Sequence, residues 1–405
     1  GRATASGAAQ NFRRLLVSTE IALAVVLLVG SGLMVKGFWK LLQIDPGFSS
    51  AGLLTMRLAT SPTTYPDSKT LVGLWSRLHE KLEAVHGVES ASMVSGLPPV
   101  RRINANDTQI EGLAPGPDSP IQNVDYWNAV TPDYFNTMHA RLIEGRFLDD
   151  RDGDGAAPVV VINQSMARHF YGNQSPIGRR IALGGSKTML SIIGVVGDIK
   201  NAGLDQPAGT ELFLPYAQQM TNGFGLGNFN VVLRTTGDPD ALSRPAQDAI
   251  SSVDPEIPIS AVQPMEAVMG TAQSRPRFLT LVLGIFSALA LVLAAIGIYG
   301  LMAYSVTQRT QEIGIRMALG AGSGGVLRMI LRYGLTLTFA GMLAGLVAAF
   351  ALTRLMSALL FQVAPTDLFT FLSVGVGLAV TSVAACYIPA RRATRIDPMV
   401  ALRYE

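Results

Sequence analysis

Four segments of the 405-residue chain contain no charged side chain, and they limit the possible folds more than any other feature. These segments are Ile21–Val35, Phe278–Gln308, Tyr333–Thr353 and Leu368–Ala390. A helix needs about 20 predominantly apolar residues to cross the ~30 Å hydrocarbon core of a bilayer. The last three segments have 31, 21 and 23 residues, and the first reaches 21 as Leu15–Val35 if Glu20 is included. The sequence therefore predicts four transmembrane helices.

The basic residues predict the orientation of these spans. The two tails and the 309–332 loop together hold 11 basic and 3 acidic residues, whereas the 354–367 loop holds one of each. The positive-inside rule then makes both termini cytoplasmic and the segment between spans 1 and 2 extracytoplasmic. Basic residues at the outer ends of spans 1 and 2, such as Lys36 and Arg277, argue weakly against this orientation. We interpret the first span as an uncleaved anchor, because no small-x-small cleavage site follows it.

These features divide the chain into nine predicted segments. They are a flexible linker (1–12), transmembrane helix 1 (13–37), an extracytoplasmic domain (38–277), transmembrane helix 2 with a stalk (278–308), a cytoplasmic coupling loop (309–332), transmembrane helix 3 (333–353), a short outer loop (354–367), transmembrane helix 4 (368–390) and a cytoplasmic tail (391–405).

The large segment between spans 1 and 2 has the composition of a soluble domain, with 20 basic and 24 acidic residues over 36–277. Short apolar runs predict strands at 53–58, 88–94, 158–162, 190–196, 211–214 and 230–235. Helical periodicity predicts helices at 68–85, 132–138, 164–171 and 240–253. In the first of these helices one face is apolar and is predicted to be core, at Leu71, Leu74, Trp75, Leu78 and Leu82. Gly- and Pro-rich stretches at 96–120 and 215–229 predict loops. The predicted fold is a membrane protein with four transmembrane α-helices and a large, two-lobed α+β extracytoplasmic domain between spans 1 and 2.

Motifs that resemble catalytic or metal sites are incomplete. The run Asp150-x-Asp152-x-Asp154-Gly155 resembles the start of a calcium loop, but Val161 stands where the bidentate Glu is required, so we predict a turn. The four histidines lack metal-ligand spacing, and the single cysteine excludes an internal disulfide. The net charge of +3 gives no indication of a nucleic-acid partner. We predict no enzyme active site and no metal site.

Glu20 is the one acidic residue within a predicted span. Ionisable groups inside a bilayer are costly and are functional candidates by default. We favour a pair with an arginine of a neighbouring helix over a role in substrate or proton transfer.

The cytoplasmic loop contains a short helical pattern with two chemically distinct sides. Glu312 and Arg316 stand at i and i+4, and Ile313 and Met317 form an adjacent apolar strip. Such a helix can lie on the membrane surface or dock in a groove of a cytoplasmic partner, and the residue pattern alone does not choose between them.

This loop and the tail Pro389-Ala390-Arg391-Arg392-Ala393-Thr394-Arg395 resemble the permease domain of MacB/FtsX-type ABC transporters. In the large domain, the runs Val130-Thr131-Pro132-Asp133-Tyr134-Phe135 and Ile193-Gly194-Val195-Val196-Gly197-Asp198 resemble the family's MacB-like periplasmic core. The stretch 15–48 is similar to the second half of duplicated permeases from acidobacteria.

The resemblance implies a mechanotransmission permease of the bacterial inner (plasma) membrane, in which a separate ABC ATPase docks on a coupling helix. The implied interface residues are Gln308, Arg309, Glu312, Ile313, Gly314, Arg316, Ala318, Leu319 and Gly320, with Arg391, Arg392 and Arg395 in the cytoplasmic tail. It implies no cofactor in this chain, because ATP and Mg²⁺ are used by the partner ATPase. The other implied partners are a second permease half or a homodimer, the lipid bilayer, and a periplasmic or outer-membrane protein.

Two alternatives share the four-span layout. One is a non-transporting, FtsX-like adaptor that relays ATPase motion to an extracytoplasmic partner such as a cell-wall hydrolase. The other is a membrane-tethered sensor without an ATPase.

Overall fold

The computed structural model describes residues 2–113, 121–221, 227–308, 310–319, 322–355 and 363–393. The chain forms two compact units, which are considered separately. The helical unit comprises Gly1–Gln43 and Arg275–Glu405, and the large domain comprises Ile44–Ser274.

Four helices are long and apolar enough to cross a membrane, in agreement with the four predicted spans. They are α1 (Arg2–Leu42), α7 (Met265–Gln308), α9 (Ser323–Leu355) and α10 (Leu368–Ala393). Residues 2–12, which were predicted to be a flexible linker, instead continue α1, because extending a helix that is already formed adds a backbone hydrogen bond for each residue ordered. Helix α10 extends to Ala393 and so includes Arg391 and Arg392.

Helices α1 and α9 pack closely because glycines on α9 face the backbone of α1. A side chain would not fit at either glycine. A Cβ atom added at Gly341 would lie 2.8 Å from Ser18 O, and one added at Gly345 would lie 2.7 Å from the Cβ of Val25. This spacing is the GxxxG arrangement that lets membrane helices approach each other where lipid supplies no hydrophobic driving force.

The large domain is a mixed α/β fold, as predicted. Its strands are β1 (Leu53–Ala59), β2 (Ser90–Val94), β3 (Asn106–Ile110), β4 (Asn123–Val124), β5 (Tyr126–Val130), β6 (Leu142–Gly145), β7 (Val159–Asn163), β8 (Arg180–Leu183), β9 (Met189–Val196), β10 (Glu211–Pro215), β11 (Asn228–Arg234) and β12 (Ile259–Pro264). They follow the order β12-β1-β11-β2-β5-β10-β7-β9-β8-β3-β4, with β6 paired to β9. The strands of the two predicted lobes therefore form one continuous series. The shortest pairing in this series joins β2 to β5 through the single pair Val94↔Val130.

The helices of the large domain are α2 (Ser68–Glu83), α3 (Tyr134–Met138), α4 (Gln164–Tyr171), α5 (Tyr216–Thr221) and α6 (Ser243–Val253). The apolar stripe predicted on α2 is buried along its whole length, at Leu71, Leu74, Trp75, Leu78 and Leu82. Trp75 packs edge-on against Phe229 of β11, with ring centroids 4.8 Å apart. This cluster fixes α2 on the sheet.

The two loop predictions were wrong in part. Strand β3 lies within 96–120, and α5 and the start of β11 lie within 215–229. Pairing with distant strands outweighs the local turn signals there, since β3 bonds to β8 and β11 lies between β1 and β2.

Candidate coupling site

A short helix, α8 (Thr310–Ala318), connects α7 to α9. Arg316 Nη2 lies 2.6 Å from Glu312 Oε1, and both side chains are about half exposed. Arg316 Nη1 also lies 3.0 Å from Met329 Sδ on α9. The i,i+4 ion pair expected from the sequence is thus present, and it is worth only a few tenths of a kcal/mol at an exposed position.

Ile313 anchors α8 to the helical unit. It is 1% exposed, and it lines a small cavity with Met302, Val306, Ile330 and Tyr333. The apolar side of α8 therefore points into the protein, and the side chain of Met317 lies outside the described residues. Burying a large aliphatic side chain contributes about 1.5–3 kcal/mol, which exceeds the contribution of the surface ion pair.

The opposite side of α8 is exposed and mixed in character. Glu312, Ile315, Arg316 and Leu319 fall at i, i+3, i+4 and i+7, which places them on one helix face. Ile315 is 45% exposed and Leu319 is 83% exposed. We call these four residues the coupling face. Two apolar groups beside two opposite charges make a surface that can dock against another protein.

Three of the other predicted interface residues belong to described helices. Gln308 ends α7, and its Nε2 donates a hydrogen bond to Tyr304 Oη at 2.8 Å. Gly314 and Ala318 lie within α8, whereas Arg309 and Gly320 lie outside the described residues.

Of the predicted tail arginines, Arg391 and Arg392 lie in the last turn of α10. Arg392 Nη1 donates to Tyr299 Oη on α7 at 3.2 Å. Arg395 lies outside the described residues.

The carboxylate of Glu20 lies against the backbone of α7 and not beside an arginine. A Cβ at Gly297 would lie 2.5 Å from Glu20 Oε2. The nearest arginines on α1 point elsewhere: the Arg13 guanidinium lies 4.2 Å from the ring centroid of Tyr304, and that of Arg14 lies 5.2 Å from the centroid of Tyr333. The described part of the chain therefore shows no arginine partner for Glu20, contrary to our expectation.

Three potential metal ligands meet in the large domain, although the sequence showed no metal-ligand spacing. They are His79, Glu83 and Asp133. His79 Nδ1 lies 3.8 Å from Glu83 Oε2, whereas its Nε2 lies 3.5 Å from Asp133 Oδ2 and 3.0 Å from Ala91 O. Because the two acids face opposite ring nitrogens, the geometry suits hydrogen bonding better than a shared ion.

The calcium-like run forms a capped turn, as predicted. Asp152 is 4% exposed, and its carboxylate accepts two hydrogen bonds from Arg146, both at 2.7 Å. Asp149 caps this turn by accepting from the backbone N–H of Arg151.

A buried polar cluster in the large domain was not foreseen from the sequence. Asn128 Nδ2 donates to Glu211 Oε1 at 2.5 Å, and Arg101 Nη1 donates to Asn128 Oδ1 at 2.5 Å. Glu211 is 1% exposed, and burial raises its pKa to about 8, against the lowering effect of the Arg101 guanidinium. Short-range sequence patterns could not predict this cluster, because Asn128 and Glu211 are 83 positions apart in the chain.

The class of protein that this fold defines is a multi-pass membrane protein. It has four apolar spanning helices, with a large mixed α/β domain between the first two and a short helix between the second and third. The comparisons with known proteins agree with this class. The family model for the MacB-like periplasmic core domain matches residues 19–249 of this chain. The family model for the FtsX-like permease C-terminal domain matches residues 284–398. The chain belongs to the MacB/FtsX-type ABC permease family.

Curated relatives cover most of the chain at moderate identity. The pyoverdine export ATP-binding/permease protein PvdT of Pseudomonas aeruginosa is 29% identical over 69% of this chain and 43% of its own length. The probable syringafactin export ATP-binding/permease protein SyfD of Pseudomonas syringae pv. tomato is 30% identical over 68% of this chain and 41% of its own. The uncharacterized ABC transporter permease YknZ of Bacillus subtilis is 27% identical over 69% of this chain and 70% of its own. The chain thus spans about two fifths of the two ATP-binding/permease relatives.

Proposed function

We propose that this chain is the permease subunit of an ABC exporter of the mechanotransmission type, and that the coupling face of α8 docks the ATPase. The observation that carries the proposal is the division of α8 into a buried anchor, Ile313, and an exposed face of mixed charge and apolarity. A membrane-surface helix would instead turn a face without charges toward lipid, whereas Glu312 and Arg316 share the exposed face of α8 with its apolar residues. The basic excess in the tails and the 309–332 loop supports a cytoplasmic location for α8 and both termini.

Helix α7 provides a mechanical connection for the proposed coupling. It is helical from Met265, which is buried in the core of the large domain, to Gln308, two residues before α8, and it contains Pro276. Motion of α8 would therefore act on one end of a helix whose other end belongs to the large domain. In this proposal ATP and Mg²⁺ are bound by the ATPase, and no catalytic group is assigned to this chain.

A second permease copy or half completes the proposed assembly in the bilayer. Helix α7 exposes a row of large apolar side chains, each more than half exposed: Leu281, Ile285, Leu289, Val292 and Ile296. Such a surface is suited to lipid or to the helices of a partner. The names of PvdT and SyfD support export as the direction of transport. A periplasmic or outer-membrane protein is a further proposed partner.

The coupling proposal is tested by reversing one charge of the coupling face. Tagged protein carrying Glu312→Lys would be purified from its own host in mild detergent, and the co-purified ATPase would be measured by mass spectrometry and by ATP hydrolysis. We expect wild type to retain an ABC ATPase and Glu312→Lys to lose it at least tenfold, because the variant replaces an attractive charge by a repulsive one.

Two controls make this result specific. Lys81→Glu reverses an exposed charge on α2 of the large domain and should leave ATPase recovery unchanged. Size-exclusion chromatography would show that both variants are folded. Undiminished ATPase recovery with Glu312→Lys, or equal loss with Lys81→Glu, would refute the assignment of α8 as the docking site.

A further inference from the structure

A groove follows the surface of α1 beside α7 within the helical unit. It has a volume of about 560 Å³, and it is lined on α1 by Phe12, Leu15, Leu16, Thr19, Glu20, Leu23 and Leu27 and on α7 by Ala290 and Leu293. From Phe12 to Leu27 the groove is ~22 Å long at the helical rise per residue. All but two of these lining side chains are hydrocarbon, and Glu20 is the only charged residue among the described residues that line the groove.

Glu20 has no counter-charge in the part of the chain that the structure describes. Its Oε2 rests on Gly297, where the absence of a side chain makes room for it. Arg13 and Arg14 stack on Tyr304 and Tyr333. An unpaired carboxylate inside a span is costly, and natural proteins place one there with a partner.

The lining of the groove indicates the kind of partner. Apolar side chains follow it from Phe12 to Leu27, and the carboxylate of Glu20 lies near the middle of this length. A complementary ligand therefore combines a hydrocarbon chain with one positive charge.

We propose that this groove binds a cationic amphiphile, an alkyl chain with a primary ammonium headgroup. The ammonium pairs with the Glu20 carboxylate, and the chain lies along Leu23, Leu27 and Leu293. The charge of the ligand supplies the missing counter-ion, and its chain fills a surface that is otherwise open to lipid. This binding site is separate from the coupling face of α8 and does not depend on it.

The proposal is tested by photolabelling the full chain in nanodiscs with two matched probes. One is decylamine carrying a diazirine in its chain, and the other is the corresponding decanol. Labelled positions would be mapped by mass spectrometry in wild type, in Glu20→Gln, which removes the charge at nearly constant volume, and in Leu23→Trp, which fills the groove and keeps Glu20. Thermal unfolding without probe would confirm that each variant is folded.

We expect the amine to label residues 12–27 and 290–297 of wild type at least tenfold more than the alcohol does. Glu20→Gln should reduce amine labelling to the level of the alcohol, and Leu23→Trp should reduce labelling by both probes. Equal labelling of wild type by the two probes would overturn the proposal, because Glu20 would then be neutralised by a proton alone. Absence of labelling in these segments would also overturn it, because a partner helix would then cover the groove.

Discussion

Replacing the buried acid of the large domain should make the protein more stable at high pH. Glu211 lies in the core of the large domain, and its Oε2 has no hydrogen-bond donor among the described residues. Glu211→Gln keeps an oxygen that can accept from Asn128 Nδ2 and removes the ionisable proton. The substitution therefore isolates the cost of carrying a charge at this position.

The magnitude follows from the two pKa values. In the unfolded chain the carboxyl ionises near 4.5, whereas burial holds its pKa at about 8 in the folded protein. Between these values the folded state binds more protons than the unfolded state, so stability falls as the pH rises through this window. The slope is about 1.4 kcal/mol per pH unit, and the full penalty above pH 8 is on the order of 5 kcal/mol.

The assay is urea unfolding of the full chain in detergent, followed by tryptophan fluorescence at a series of pH values from 5 to about 9. Trp75 and Trp127 are buried in the large domain, and Trp39→Phe would remove the exposed tryptophan of α1 from the signal. We expect the stability of Glu211→Gln relative to the parent to rise steadily between pH 5 and pH 8 and then level off. Parallel pH profiles for the two proteins would refute the assignment of a protonated Glu211.

Two further predictions concern packing and a charge pair. Gly345→Ala should destabilise the α1–α9 contact by about 2 kcal/mol, because the added methyl group overpacks it. The effect would be measured as a loss of monodisperse protein in detergent on heating. Gly377→Ala is the control, because a Cβ at position 377 would meet no atom within 4 Å. Asp152→Ala should lower the unfolding free energy of the large domain by about 2 kcal/mol, because Arg146 loses two charged hydrogen bonds. Asp150→Ala in the same turn removes an exposed carboxylate and should change it by less than about 0.5 kcal/mol. Equal effects of Asp152→Ala and Asp150→Ala would contradict the role given to the ion pair.

Features that repeat over a short stretch of chain could be predicted from the sequence. The period of Leu71, Leu74 and Leu78 identified the buried side of α2, and all three are buried. The uncharged runs identified the four spanning helices because hydrocarbon excludes charge over a fixed length. The ion pair of Glu312 and Arg316 was likewise evident from their spacing.

Features that depend on contacts between distant segments could not be predicted. Strand β5 has a polar residue, Asn128, at its centre, and all five of its residues are buried because Glu211 and Arg101 satisfy that side chain. The fit of Glu20 onto Gly297 depends on the register of α1 against α7. The α8 pattern showed an apolar strip, but only the packed structure shows that Ile313 points inward and leaves Leu319 exposed.

Site-specific crosslinking in living cells would show whether the coupling face of α8 contacts an ATPase. A photoreactive amino acid would replace Leu319, which is 83% exposed, and in a second strain Val380, which is 64% exposed on α10. We expect a crosslink from position 319 to an ABC ATPase and none from position 380. A crosslink to the ATPase from position 380 alone, or none from position 319 in cells that contain the assembled complex, would contradict this expectation.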